Sequence, residues 1–206
     1  RVFPVKIDPS VEAFNTMAET YDTYINESVP NGNGEKIYLY WNMVAGYCGG
    51  NVDLEWHALI EPASLPDIPE SAVIVGAEIQ VAHDGTGFTS VNIAATPITE
   101  EWDSEVVTWN TRPAYSAEDD VLDYLSMDSS TQGEVVSFDI TRLAQDWYEN
   151  NYCYGIALVP ISGYGNGHIY FLTSENPTNK PQLIISYRDT KGLEDLWTYS
   201  SHGAGN

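Results

Sequence analysis

Basic side chains are scarce in this sequence. Its 206 residues include 8 lysines and arginines against 30 aspartates and glutamates, which gives a formal charge of −22. A chain this acidic repels phosphate, so we exclude nucleic-acid binding and binding to anionic lipid surfaces. Long apolar runs are also absent, since no stretch approaches the roughly 18 residues of a membrane-spanning helix. We therefore expect no membrane insertion.

Cysteine is nearly absent, because only Cys48 and Cys153 occur. Two cysteines are too few for a disulfide framework. They form one disulfide bridge if the fold brings them together, and otherwise they are small buried thiols. The sequence leaves both possibilities open.

Enzyme motifs are missing as well. The chain has no Gly-x-Ser-x-Gly and no His-Glu-x-x-His, and neither cysteine has a histidine nearby in sequence. Neighbouring carboxylates such as Glu100 and Glu101 arise by chance in an acidic chain, and on a strand they point to opposite sides. We predict that the chain is not an enzyme. None of the four histidines has metal-ligand spacing: His57, His83, His168 and His202.

Alternation of apolar and polar residues dominates the chain and indicates β-strands. Apolar residues make up 43% of the sequence, which is enough for a globular core. Ten short strands predict an all-β fold, an antiparallel, jelly-roll-like β-sandwich. The predicted strands cover residues 36–41, 53–60, 72–82, 90–95, 105–109, 121–125, 134–138, 154–159, 168–172 and 182–187.

One segment has helical spacing instead. Ile140, Leu143, Ala144 and Trp147 recur at steps of three and four residues, which places them on one stripe of a helix. Asp139 or Thr141 can cap its start. We predict a short helix that covers one end of the sandwich, with Trp147 buried.

Five blocks of sequence occur in the order of a known domain family. They are Asp22-Thr23-Tyr24-Ile25, Val107-Thr108-Trp109-Asn110, Phe138-Asp139-Ile140-Thr141, Tyr154-Gly155-Ile156-Ala157-Leu158 and Pro181-Gln182-Leu183-Ile184-Ile185-Ser186-Tyr187. In this order they resemble the DNRLRE domain, a disaggregatase-related β-sandwich that is also grouped with carbohydrate-binding modules. The resemblance implies that Trp102 and Trp109 belong to the core.

The two flanks carry a further resemblance. Residues 3–9 and 192–199 are similar to the stretches that surround this domain in large bacterial surface proteins of the RHS-repeat type. We therefore predict a lead-in over residues 1–21, a DNRLRE-like sandwich over 22–187 and a tail over 188–206. The chain is interpreted as a module of a longer protein that is secreted or associated with the cell wall.

Calcium is the cofactor that this composition favours, because hard oxygen ligands suit it and sandwich loops can bring several together. The predicted ligands are Asp22 and Glu175, which the resemblance places at nearby ends of the sandwich. The alternative is that each carboxylate accepts a hydrogen bond from a turn backbone.

Aromatic side chains are the other candidate site residues, since rings cover the apolar side of a sugar while polar groups hold its hydroxyls. Tyr164 is the strongest candidate, because it lies in a Gly-rich loop where core packing explains it least. The predicted ligand-binding residues are Tyr38, Tyr40, Trp41, Trp56, Tyr164 and Tyr170.

These observations predict a non-catalytic extracellular module, monomeric when isolated, that binds a neutral polysaccharide or a cell-surface partner. Neutral glycans are favoured because acidic ones would be repelled by the charge of −22. One alternative is a structural spacer or adhesion module without a small ligand. The other is a part of a polysaccharide-degrading enzyme.

Overall fold

The computed structural model describes residues 13–32, 41–87, 89–115 and 120–189. Within these ranges the chain forms ten β-strands and one α-helix. In chain order they are β1 (Ala13–Asn26), β2 (Asn42–Tyr47), β3 (Glu55–Pro62), β4 (Ala72–Gly87), β5 (Val91–Pro97), β6 (Asp123–Met127), β7 (Val135–Asp139), α1 (Thr141–Asn150), β8 (Ile156–Gly165), β9 (His168–Leu172) and β10 (Gln182–Asp189).

The strands form one antiparallel ladder in the order β1, β10, β4, β9, β2, β3, β8, β5 and β6, and β7 pairs with β4. A further pairing of β1 with β3 closes six of these strands into a ring. The predicted antiparallel all-β class with one helix is confirmed. The jelly-roll-like sandwich stays a prediction.

Two long strands make the ring possible, because each pairs with different neighbours along its length. In β1, residues 13–19 pair with β10 and residues 20–26 pair with β3. In β4, residues 72–80 pair with β10, whereas residues 83–87 pair with β9, with an irregularity at Asp84. A bulge of this kind bends a strand and changes its direction.

The core has two parts. The larger part contains Trp147, Phe138, Phe171 and Ile79, all fully buried. The smaller part lies around Ile25, Leu59 and Val159 and is covered by Trp102 and Trp109, both partly buried. The predicted burial of Trp147 is confirmed.

Helix α1 lies beside β4, just beyond the end of β7. The N–H of Ile140 donates to Ala77 O at 2.9 Å, and the N–H of Ala77 donates to Thr141 Oγ1 at 2.9 Å. Asp139 Oδ1 accepts a hydrogen bond from the N–H of Thr141 at 2.8 Å, which satisfies a donor at the start of the helix. The predicted apolar stripe is confirmed, because Ile140, Leu143, Ala144 and Trp147 are all buried.

Several predictions about strands require correction. Residues 105–109 form no strand: they make a turn followed by the start of a short 3-10 helix, Trp109–Thr111. Strand β2 falls where no strand is predicted, because Met43, Val44 and Ala45 are all buried and show no alternation. Residues 13–21, assigned to the lead-in, form the first part of β1. The predicted strand at 36–41 lies, except for Trp41, outside the described residues.

Of the predicted tail over 188–206, residues 188–189 form the end of β10. Residues 190–206 and the flank at 3–9 lie outside the described residues. In the part that the structure describes, no helix has the length and hydropathy of a membrane span.

Candidate functional site

The chain between β9 and β10, residues 173–181, is held at both ends by hydrogen bonds; we call it the β9–β10 connection. The N–H of Thr173 donates to Trp41 O at 3.0 Å, and the N–H of Ser174 donates to Asp22 Oδ2 at 2.9 Å. At the other end, Thr20 Oγ1 donates to Pro181 O at 3.3 Å. The connection is therefore fixed to β1 and to the start of β2.

A buried asparagine shapes the middle of the connection. Asn176 Oδ1 accepts hydrogen bonds from the N–H of Thr178 at 3.0 Å, from Thr178 Oγ1 at 3.1 Å and from the N–H of Asn179 at 3.0 Å. Such bonds from an asparagine side chain to the backbone that follows it stabilise tight turns. The exposed residues 177–180 thus protrude from a connection whose backbone is well defined.

These residues form one wall of a groove of about 190 Å³, which we call the connection groove. Its floor comes from three neighbouring strands. Ile79 and Val81 of β4 are buried, so Gln80 between them points outward, and Gln182 is its partner on β10. The groove is lined by Gln80, Ala82, Val135, Pro177, Thr178, Asn179, Lys180 and Gln182.

The connection groove can bind an uncharged ligand rich in hydroxyl groups. Its amides both donate and accept hydrogen bonds, and Lys180 adds a donor. Gln80 Nε2 also donates to Glu78 Oε1 at 2.7 Å, which orients the amide. Val135 and Pro177 supply apolar surface. The groove is smaller than the roughly 300–1,000 Å³ of pockets that enclose a drug-sized ligand, so it suits one unit of a chain rather than a whole molecule.

The two predicted calcium ligands lie at the base of the same connection. Asp22 is only 3% exposed, whereas Glu175 is exposed. Asp22 Oδ2 accepts the hydrogen bond from Ser174, but Oδ1 is buried without a partner among the described residues. Burial, and secondarily the Glu175 carboxylate, raise the pKa of Asp22 to about 7. The turn-backbone alternative thus accounts for one oxygen of Asp22 only.

One predicted ring borders this region. The Trp41 side chain is 50% exposed, and its carbonyl holds the first residue of the connection. Tyr38 and Tyr40 lie outside the described residues.

Trp56 and Tyr170 come together, but within the core. Tyr170 Oη lies 3.0 Å from Nε2 of the buried His168, and the rings of Trp56 and His168 meet edge to face at 4.8 Å. Both residues are partly buried and pack against the larger core cluster. Their surroundings favour packing over contact with a ligand.

Tyr164 is 60% exposed near the end of β8, just before the turn to β9. It lies between Gly163 and Gly165, whose φ angles of +81° and +84° suit glycine. Strand β9 separates it from Trp41, because His168 at one end pairs with Gly46 while Leu172 at the other pairs with Asn42. Tyr164 and the β9–β10 connection thus lie beyond opposite ends of β9.

Two larger recesses, of about 530 and 390 Å³, lie along α1. Both are lined by Asp120 and Arg142, which form an ion pair with each other. In the second recess the hydroxyl of Tyr152 donates to Asp146. Most polar side chains of these recesses are paired within the protein, since Asp139 also bonds to Thr141 and Gln145 to Ile74 O.

A buried histidine joins β3 to the loop before β6. His57 Nε2 lies 2.7 Å from Glu55 Oε2, and Nδ1 lies 2.7 Å from Tyr115 Oη. Burial lowers the pKa of His57, against the opposing effect of Glu55, and raises that of Tyr115. The ring also contacts Trp109 at 4.8 Å. Both nitrogens are bonded within the protein, so this cluster anchors the loop.

The described residues contain no group of three metal-ligating side chains.

The two cysteines lie near opposite ends of β3. The N–H of Cys48 bonds to Leu54 O just before β3, whereas Gly155, two residues after Cys153, packs against the backbone of Ile60. Six residues of strand span about 20 Å, and a disulfide needs Cα atoms within about 7 Å. Both are free, partly buried thiols, so the disulfide alternative is wrong. Burial raises the pKa of Cys153 to about 12.

Sequence reasoning missed the connection groove. Its signal was available in part, since Gln80 alternates with Ile79 and Val81 and therefore had to point outward. The pairing of Gln80 with Gln182 depends on the β4–β10 register, which no local pattern reveals.

A sequence model of carbohydrate-binding module family 96 matches residues 13–187. The chain belongs to this family. The resemblance seen in the sequence is thereby confirmed at the level of a carbohydrate-binding module, a class that is not catalytic, while the narrower DNRLRE assignment stays a prediction. The match begins at Ala13, where β1 begins.

Curated relatives are much longer proteins. The chain is 26% identical over 203 residues to the tRNA3(Ser)-specific nuclease WapA of Bacillus spizizenii and 25% identical over 203 residues to the tRNA nuclease WapA of Bacillus subtilis strain 168. Each alignment covers 93% of this chain but only 8% of the relative. The similarity therefore concerns one small part of those nucleases.

Proposed function

We propose that this member of carbohydrate-binding module family 96 binds a neutral polysaccharide in the connection groove without cleaving it. The observation that carries the proposal is the lining of the groove: amide, hydroxyl and ammonium groups beside apolar Val135 and Pro177. Amides and hydroxyls exchange hydrogen bonds with sugar hydroxyls. Apolar side chains cover the C–H surface of a sugar ring.

Charge supports the same location. None of the described residues that line the groove is acidic, although the chain has 30 acidic residues. Taking a carboxylate out of water costs free energy unless it is paired. A groove lined by neutral amides avoids that cost when a sugar covers it. Trp41, whose carbonyl accepts a hydrogen bond from the first residue of the connection, offers an exposed ring for a further unit of the polysaccharide.

The surroundings of the module are part of the proposal. Its relatives are far longer, and both flanks resemble those of RHS-type bacterial surface proteins. We place the chain in a secreted or cell-wall-associated bacterial protein, where the module attaches the parent protein to a polysaccharide. The nuclease activity in the relatives' names belongs to those proteins.

Binding to immobilised glycans tests the proposal. The wild-type chain is applied to a glycan array and to native gels that contain neutral polysaccharides such as xylan, galactomannan or mixed-linkage β-glucan. We expect retention on at least one of them. The double variant Gln80→Ala and Gln182→Ala should lose at least tenfold in affinity, and Trp41→Ala should lose less.

Matched variants locate the effect. Tyr164→Ala removes an exposed ring near the end of β8, away from the connection groove. Gln145→Ala removes a glutamine amide from a recess beside α1. Both should bind as the wild type does. Loss of binding in either would move the site away from the connection groove. Retention on no glycan at all would support a structural spacer instead, and retention only on acidic polysaccharides would contradict the neutral class.

A further inference from the structure

One oxygen of the buried Asp22 carboxylate lacks a hydrogen-bond partner among the described residues. Its Oδ2 bonds to Ser174, but Oδ1 has no hydrogen-bond partner among the described residues, although Asp22 is only 3% exposed. A buried charged oxygen without a partner is costly. Such a group in a native fold is a candidate position for an ordered water or an ion.

Two more oxygen groups belong to the same stretch of chain. The Thr173 hydroxyl is buried and has no partner in the part of the chain that the structure describes. Thr173 directly precedes Ser174, whose N–H bonds to Asp22. The exposed Glu175 follows, close enough for its charge to act on Asp22. Ser174 links the two carboxylates where the β9–β10 connection meets β1, because its N–H donates to Asp22 Oδ2 and its hydroxyl donates to Glu175 Oε1 at 3.4 Å.

We propose that Asp22 and Glu175 bind one calcium ion, with the Thr173 hydroxyl as an additional oxygen ligand. A divalent cation would turn the repulsion between the two carboxylates into attraction to a shared ion and would satisfy Asp22 Oδ1. Calcium accepts mixed carboxylate, hydroxyl, carbonyl and water ligands in irregular geometry, whereas magnesium demands a near-ideal octahedron. The donor set is all oxygen, which suits calcium and excludes soft metals.

Calcium at this position has a consequence for the groove. Ser174 and Glu175 begin the β9–β10 connection, and residues 177–180 of that connection form one wall of the connection groove. An ion that ties Glu175 to Asp22 fixes the wall before the sugar arrives. Glycan affinity is then calcium-dependent. This consequence rests on the proposed function, whereas calcium binding does not.

Thermal unfolding with calcium chloride alone tests the ion site. A ligand that binds only the folded state raises the midpoint temperature. At a hundredfold excess over its dissociation constant, calcium should raise the midpoint by about 5–10 °C for a chain of this size. Asp22→Asn and Glu175→Gln should each reduce the shift to less than about 1 °C. Because Glu175 is exposed, Glu175→Gln keeps the test available if Asp22→Asn fails to fold.

General screening of the acidic chain is controlled in two ways. Glu149→Gln removes one exposed negative charge from α1, an element that contains neither proposed ligand. Calcium should raise the midpoint temperature of this variant as much as that of the wild type. Magnesium at the same ionic strength should give a much smaller shift. No calcium shift in the wild type, or an equal shift in Asp22→Asn, would overturn the proposal.

Glycan binding in calcium and in a chelator separates the two proposals. If glycan is retained equally in both, the proposed function stands and its calcium dependence is wrong. If calcium binds but no glycan does, the ion site stands and the proposed function is wrong.

Discussion

His57 and Asp22 are buried polar residues on paired strands, yet their surroundings differ. His57 on β3 has a partner for each ring nitrogen, Glu55 and Tyr115. Asp22 on β1 has, among the described residues, a partner for one of its two oxygens. A fully bonded buried network stabilises and orients a fold, whereas a partly bonded one is a position where an external ligand adds free energy. The comparison separates an anchor from a binding site.

The largest expected effect concerns the anchor. His57→Ala removes a buried ring and leaves Glu55 and Tyr115 without their partner, so the free energy of unfolding should fall by about 3 kcal/mol. Chemical denaturation measures this. Tyr164→Ala, at an exposed position, should change it by no more than about 0.5 kcal/mol. A loss below about 1 kcal/mol for His57→Ala would show that the network contributes little.

The next effect is a pH dependence from the same histidine. Burial holds the pKa of folded His57 below its ordinary 6.5, with Glu55, Glu27 and Arg112 as the charges around it. Below pH 6.5 the unfolded chain takes up a proton that the folded chain does not, so the stability from neutral His57 is lost as pH falls toward the lower folded pKa.

The stability difference between wild type and His57→Ala isolates this titration from all others. It should narrow on acidification from pH 7 to pH 5, by at most about 1.4 kcal/mol per pH unit. Denaturation curves at several pH values measure it. A difference that stays constant or widens toward pH 5 contradicts a lowered pKa.

The smallest effect is expected at Asp22 without calcium. Asn has nearly the same shape, keeps an oxygen for the N–H of Ser174 and removes a buried charge beside Glu175. Asp22→Asn in a chelator should therefore change the free energy of unfolding by less than about 1 kcal/mol, toward higher stability. Destabilisation above about 2 kcal/mol would mean that Asp22 is an anchor like His57.

Local sequence patterns predicted the helix and those strands that have one buried side and one exposed side. The apolar stripe of α1 is buried as predicted, because a helix with one buried side shows the same spacing whichever element it packs against. The stripe consists of Ile140, Leu143, Ala144 and Trp147. Strand β2 escaped prediction because it is buried on both sides. The opening half of β1 exposes apolar Phe14 and Met17 as well as polar residues, so its sequence lacks the alternation of a half-buried strand and was assigned to the lead-in.

The candidate site was only partly predictable. Asp22 and Glu175 were named from the sequence, and the structure brings them together at the β9–β10 connection. The connection groove depends on the pairing of β4, β7 and β10, whose residues lie far apart in the sequence. Exposed aromatic residues did not predict the position of the connection groove, since Tyr164 lies beyond the other end of β9.

The side-chain amides of glutamine test the central claim most directly, because each gives its own signals in a ¹⁵N-resolved NMR spectrum. During titration with cellohexaose, xylohexaose or mannohexaose in calcium, the signals of Gln80 and Gln182 should shift in a saturable manner with at least one oligosaccharide. The signal of Gln145 beside α1 should not move. Saturable shifts confined to Gln145 or to the region of Tyr164 would contradict binding in the connection groove.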